Sequence, residues 1–146
     1  MTYNLKWTRP STDGFPKVWL RFKAKDLENN NLVEYRIQDL PVDRFEDAIQ
    51  HMTENYLHDE PVAQSVDAVN KRPEFVADYQ RIWRAVMPQR MALACFKEGS
   101  DEIVGLDVSF VCHKDDNFLD QAFANVSMRC GWSGPLVNGG FPSEQR

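Results

Sequence analysis

Residues 33–40 alternate Val33, Tyr35 and Ile37 with Glu34, Arg36 and Gln38, and a period of two over that length predicts a half-buried strand. Pro41 ends it, and Asp43 with Glu46 three residues later has the spacing of a capping box. Through residues 44–57 the period changes to that of a helix. Phe45, Ala48, Ile49, Met52 and Tyr56 fall on one face. The helix should stop near Leu57, because Pro61 disfavours helical geometry at Glu60, and a loop is expected through Lys71. Pro73 opens a second helix with Phe75, Tyr79, Ile82, Trp83 and Val86 as its apolar stripe, and Pro88 closes it.

Two strand-like runs, residues 91–97 and 102–112, then flank Gly99-Ser100-Asp101 and read as an antiparallel hairpin. Val104, Leu106, Val108, Phe110 and Cys112 share one face of the second run. Before the first strand, Trp7, Pro10, Gly14, Pro16 and Trp19 suggest an extended arm, with residues 17–22 as an edge strand and residues 25–31 as a polar turn. After Lys114 a short helix through Phe118, Leu119, Ala122 and Phe123 is expected, and residues 129–146, with four glycines and two prolines, read as loop. Strand, helix, helix and hairpin in that order predict an α/β fold. The chain divides into an arm (1–32), an ordered half (33–116) and a loop-rich tail (117–146), with no internal repeat.

Composition narrows the function classes. A chain of 146 residues with 42% hydrophobic and 12% aromatic residues suits one globular domain. A net charge of −5 argues against a nucleic-acid partner and is compatible with small cationic ligands. No apolar run reaches transmembrane length and the N-terminus lacks a signal-peptide core, so no membrane partner is expected. Cys95, Cys112 and Cys130 form no CxxC pair and leave an odd thiol, which predicts a reducing, cytoplasmic setting and makes the sequon at Asn125 a chance match. His51 and His58, seven residues apart, lack the close spacing of a metal site and read as surface histidines; His113 has no visible partner. No serine sits in a G-x-S-x-G elbow, and Gly105 on the last strand reads as a packing position.

Asp59-Glu60-Pro61 raises a different question. Two carboxylates stand where a helix should end, the wrong pole of its dipole for anions. One reading is a charged helix end in solvent. The other is a carboxylate presented from a stiff loop, able to hold a cationic amine or accept its proton.

The words YRIQDLPVDRFEDAIQHM, HDEP and EIVGLDV, in that order and spacing across residues 33–116, resemble the N-terminal half of the insect-type arylalkylamine N-acetyltransferases, a branch of the GNAT superfamily. The resemblance implies a partial GNAT fold, a mixed or antiparallel sheet with two helices after the first strand. It implies acetyl transfer from acetyl-CoA to a small primary amine, an arylalkylamine or a polyamine. It also implies Glu60 as general base, with Asp59 and Pro61 beside it in the amine site. One family feature is missing. The Arg/Gln-x-x-Gly-x-Gly/Ala loop that meets the CoA pyrophosphate has its nearest counterpart at Arg129, Cys130, Gly131, Trp132, Ser133 and Gly134, where the first glycine falls one residue early and no helix follows. The sequence thus predicts a chain truncated before that loop, weak or absent acetyl-CoA binding, and an open sheet edge suited to self-association. The alternative is a catalytically incompetent interaction module, or a truncated product of an acetyltransferase gene.

Overall fold

The computed structural model describes residues 5–10, 14–26, 29–118 and 121–122. Leu119, Phe123, Asn125, Cys130, the Arg129–Gly134 loop candidate and the rest of the tail, apart from residues 117–118 and 121–122, lie outside the described residues.

Four strands, β1 (Val18–Lys25), β2 (Leu32–Asp39), β3 (Leu93–Lys97) and β4 (Ile103–Asp107), form one antiparallel sheet in the order β1-β2-β3-β4. The anticipated edge strand is therefore present as β1, and the hairpin as β3 and β4. Gly99 makes that hairpin's turn possible, since its φ of 77° lies in the left-handed region that residues with a Cβ avoid. Ala94 and Phe96 of β3, both buried, face five helical segments inserted between β2 and β3. These are α1 (Phe45–Glu54), α2 (Tyr56–Asp59), α3 (Pro61–Ser65), α4 (Ala68–Lys71) and α5 (Pro73–Val86). The stripes of α1 and α5 meet the sheet as their periodicity requires, with Ile49, Phe75, Trp83 and Val86 buried together.

The structure corrects four details. Asp43 caps nothing: it sits in a 3₁₀ turn, Val42–Arg44, and α1 starts at Phe45 without a side-chain cap. Its supposed partner Glu46 instead receives Arg84 of α5 at 3.0 and 2.8 Å, tying the two long helices together. Residues 61–71 are not a loop but two short helices, because the Pro61 that ends one helix is also well shaped to begin another.

The last two corrections concern β4. Its pairing slips between Cys95 and Phe96, which oppose Gly105 and Ile103, so Val104 is a bulged extra residue. The bulge resets the alternation: Ile103 is buried and Val104 is 44% exposed, not on the buried face as its period had suggested. The strand also stops at Asp107 rather than Cys112. Beyond it the side chain of Gln89, itself 2% exposed, substitutes for a neighbouring strand. It donates to the Val111 carbonyl at 2.9 Å and accepts from the Val111 N–H at 2.7 Å. Residues 108–112 are thereby fixed against the core, where Val108, Phe110 and Cys112 pack.

Candidate functional site

The Asp-Glu-Pro segment is a junction between two helices. α1 breaks at Asn55, and α2 carries the chain one further turn to Asp59. The Glu60 N–H still donates to the Tyr56 carbonyl at 2.9 Å, but Pro61 forces Glu60 itself into extended geometry, with φ −67° and ψ 119°. Its side chain then turns forward, and Oε2 accepts the Ala63 N–H at 2.6 Å, capping α3. This is a correction to the dipole argument. Glu60 lies at the negative end of one helix but also at the positive start of the next, where a carboxylate stabilises. One oxygen is engaged as the cap, and among the described residues no Lys or Arg forms an ion pair with Glu60. Asp59 is exposed at the end of α2, and Pro61 is exposed as the first residue of α3.

Beside this junction lies an aromatic groove of about 350 Å³. Its helical wall carries Met52, Tyr56, Tyr79 and Trp83, and its strand wall carries Leu106, Asp107, Val108 and Phe110. The rings follow one another in tilted contact, Phe75 to Tyr79 at 4.9 Å and Tyr79 to Trp83 at 5.7 Å, with Trp83 edge-on to Tyr56 at 6.2 Å between centroids. Tyr56 and Glu60 are four residues apart and joined by a helical hydrogen bond, so Glu60 lies on the Tyr56 side of α2, one turn further along. The periodicity of α5 had marked Tyr79 and Trp83 only as core. That they also wall a cavity follows from the position of residues 106–110, set by the bulge and the Gln89 clamp, neither of which has a sequence signature.

A larger cavity, about 460 Å³, lies on the opposite face of the sheet between Trp7, Arg9, Trp19, Asp39 and Leu93. Two acids line it, Asp39 and Asp107, the latter holding the Ser109 hydroxyl at 2.8 Å, and Asp39 has other work. Asp39 is 1% exposed and accepts from Arg9 Nη1, Trp19 Nε1 and the Lys17 N–H, each at 2.8 Å, so it anchors the N-terminal arm to the sheet. Burial alone raises its pKa, but the bonds from Arg9, Trp19 and Lys17 with the Arg9 charge outweigh that and hold it below the usual carboxylate value.

The remaining candidates stay apart. His51 is half-buried on α1 and His58 exposed on α2, and among the described residues no three His, Cys, Asp or Glu side chains converge as a metal site would need. Cys95 and Cys112 are free thiols, and burial pushes that of Cys95 up. Gly105 packs its backbone against Cys95, where an added Cβ would meet the Cys95 Cβ at 3.5 Å. No helix among the described residues is long and apolar enough to cross a membrane.

No family model matches the chain, and no curated protein matches it. One solved structure does: a protein described as arylalkylamine N-acetyltransferase 7, from the yellow fever mosquito, with 38% sequence identity and a TM-score of 0.65 over 86% of this chain. The chain is a GNAT-like relative of the insect arylalkylamine N-acetyltransferases.

It spans 60% of the length of that acetyltransferase. Within the GNAT-like frame, the helical wall of the groove comes from α1, α2 and α5, which lie between β2 and the hairpin of β3 and β4. The described glycines do not offer a phosphate cradle: Gly14 and Gly99 lie in turns and Gly105 in β4, and none opens onto a helix. Among the described residues there is thus no glycine cradle for the pyrophosphate of acetyl-CoA.

Proposed function

We propose that the chain forms the amine side of an acetyltransferase site, for transfer of an acetyl group to a primary arylalkylamine or polyamine. The observation that carries this reading is the contiguity of Glu60 with the aromatic groove through Tyr56. An alkylamine is protonated at neutral pH, and only its free form is a nucleophile. An aromatic body in the groove would bury apolar surface against Trp83 and Phe110, with edge and face contacts from the ring series. Glu60, held by the Ala63 N–H on one oxygen, has the other available to take a proton from the ammonium, directly or through a water. Asp59, exposed beside it, would attract the incoming cation, and Pro61 would keep the junction stiff. Acetyl-CoA is the donor this reading implies; its thioester carbon would receive the amine nitrogen as the C–S bond breaks and the thiolate leaves. The free thiols of Cys95 and Cys112 agree with a cytoplasmic setting.

The direct experiment follows thiol release from acetyl-CoA with phenethylamine as acceptor. Because the donor is expected to bind weakly, it is supplied at millimolar excess; amine-dependent release is expected, and its absence at millimolar amine overturns the reading. A second reading, an interaction module without activity, is favoured by one observation. β4 is an edge strand among the described residues, with Val104 exposed on it. A thermal shift with acetyl-CoA separates the two, since a ligand of the native state must raise its melting temperature.

A further inference from the structure

The cavity on the face of the sheet opposite the helices has its own chemistry. Asp39 of β2, Leu93 of β3 and Asp107 of β4 stand abreast on that face, because the register pairs Asp39 with Leu93 and Leu93 with Asp107. Ala94 and Phe96, the alternate residues of β3, are buried against the helices instead. Asp107 borders the aromatic groove with its backbone, but its side chain stands beside Leu93 on the other face. We infer that this second cavity binds a small aromatic monoammonium ligand, with the Asp107 carboxylate holding the cation and Trp7 contacting the ring. The site lies across the sheet from the aromatic groove and does not depend on the acetyl-transfer reading.

The charges of this cavity divide unevenly. Asp39 is neutralised by Arg9 and also accepts from Trp19 and the Lys17 N–H. Asp107 lies two strand positions away, roughly 10 Å at about 5 Å per antiparallel neighbour, with Leu93 between them. Its Oδ2 accepts the Ser109 hydroxyl at 2.8 Å, which orients the carboxylate without cancelling its charge. Among the described residues no Lys, Arg or His forms an ion pair with it. The rings divide in the same way. Lys17 and Arg9 sit over Trp19 at 4.2 and 5.7 Å, and Arg90 over Phe15 at 5.2 Å, so the protein's own cations already use those rings. Trp7 has no such cation among the described residues. A ligand's ammonium group therefore finds one fixed carboxylate and one indole unused in the same lining. The rest of the ligand should be apolar, because Pro10, Met91 and Leu93 offer nothing to replace the water that a polar body would lose. An anionic ligand is disfavoured: Arg9, the cation in the lining, is bonded to Asp39 and to the Arg90 carbonyl, and Asp107 would repel it. At about 460 Å³ the cavity has room for one such molecule.

The test reads the assigned indole N–H resonances of the full chain by NMR, without acetyl-CoA. The chain is titrated with phenethylamine, a cation at neutral pH, and with phenethyl alcohol and phenylacetate as its neutral and anionic counterparts. The Trp7 signal should shift saturably with the amine, more weakly with the alcohol and not with phenylacetate. Asp107→Asn should weaken amine binding at Trp7 about three- to fivefold, as expected for one exposed charge pair, and leave the alcohol unchanged. Asp107→Glu, which keeps the charge, should keep the preference for the amine. A Trp7 signal that does not move at millimolar amine overturns the inference, as do equal affinities for amine and alcohol in the native chain. So does an Asp107→Asn protein that binds the amine as the native chain does, or that loses both ligands alike. The Trp83 signal reports separately on the aromatic groove. A shift of Trp83 alone refutes this site while leaving the amine-side reading standing, and a shift of Trp7 alone does the reverse.

Discussion

Replacing Asp39 should loosen the N-terminal arm and remove part of the protein's acid sensitivity. The carboxylate is 1% exposed and its Arg9 partner 9% exposed by side chain, so the pair is buried on both sides. Asp39→Ala strips the acceptor from Arg9, Trp19 and the Lys17 N–H at once. Breaking a buried pair from one side costs about 3–5 kcal/mol, mostly because the surviving charge is stranded. Part of that is recovered here, since Arg9 also donates to the Arg90 carbonyl at 3.3 Å and can swing outward with the arm, so about 2–4 kcal/mol is expected. Against a typical total of about 5–15 kcal/mol, this is large and easily read by urea denaturation. The pH dependence gives the sharper test. The Asp39 pKa is lowered in the folded state, so the unfolded chain binds the proton more readily, and stability rises with pH through that window. The contribution is fully present above the unfolded carboxylate value, about 3.9, and is lost as pH falls through the lower folded value. Asp39→Asn should therefore lose less stability between pH 5 and pH 3 than the native chain does, both pH values being about one unit either side of that midpoint. Parallel stability curves for the two proteins, or a loss below about 1 kcal/mol in Asp39→Ala, would refute the hub.

Other outcomes follow from the same contacts. Gln89→Leu leaves the Val111 N–H and carbonyl without their partner and should cost about 1–3 kcal/mol by chemical denaturation, and Gln89→Glu, which buries a carboxylate against that carbonyl, should cost at least as much at neutral pH. Glu60→Ala removes the α3 cap and should lower stability by about 0.5–2 kcal/mol, while Glu60→Gln, which still offers an oxygen to the Ala63 N–H, should stay near the native value. If copies pair through β4, light scattering should show association at high concentration that Val104→Lys abolishes; an unchanged mass in both proteins removes the edge-pairing proposal.

Much of the frame was legible because it rests on periodicity. The alternation of Val33, Tyr35 and Ile37 and the stripes of α1 and α5 are local signals that tertiary packing reinforced. The misses share a physical cause: each depends on a partner distant in sequence or on a single inserted residue. Glu46 had a plausible local role as a capping-box partner, but Arg84, 38 residues away, offers it a charged bidentate contact. Val104 fitted its alternation until the bulge opposite Cys95 broke the register. The helices after Pro61 were hidden because proline reads as a stop at the preceding residue and equally as a first residue of the next helix. In the candidate site, Glu60 could be named from the Asp-Glu-Pro word. The strand wall of the groove could not, since residues 106–110 are placed by the bulge opposite Cys95 and by Gln89, partners distant in sequence.

The central claim is that Glu60 takes the proton of an amine held in the groove, and the pH dependence of amine acetylation tests it most directly. The full chain and Glu60→Gln are compared with phenethylamine and acetyl-CoA from neutral pH upward. The account predicts a turnover loss of about a hundredfold at neutral pH, in the usual range for a missing general base, with the ratio shrinking toward unity as free amine forms without help. A ratio near one at neutral pH, in a chain that acetylates the amine, would leave Glu60 as the cap of α3 and nothing more.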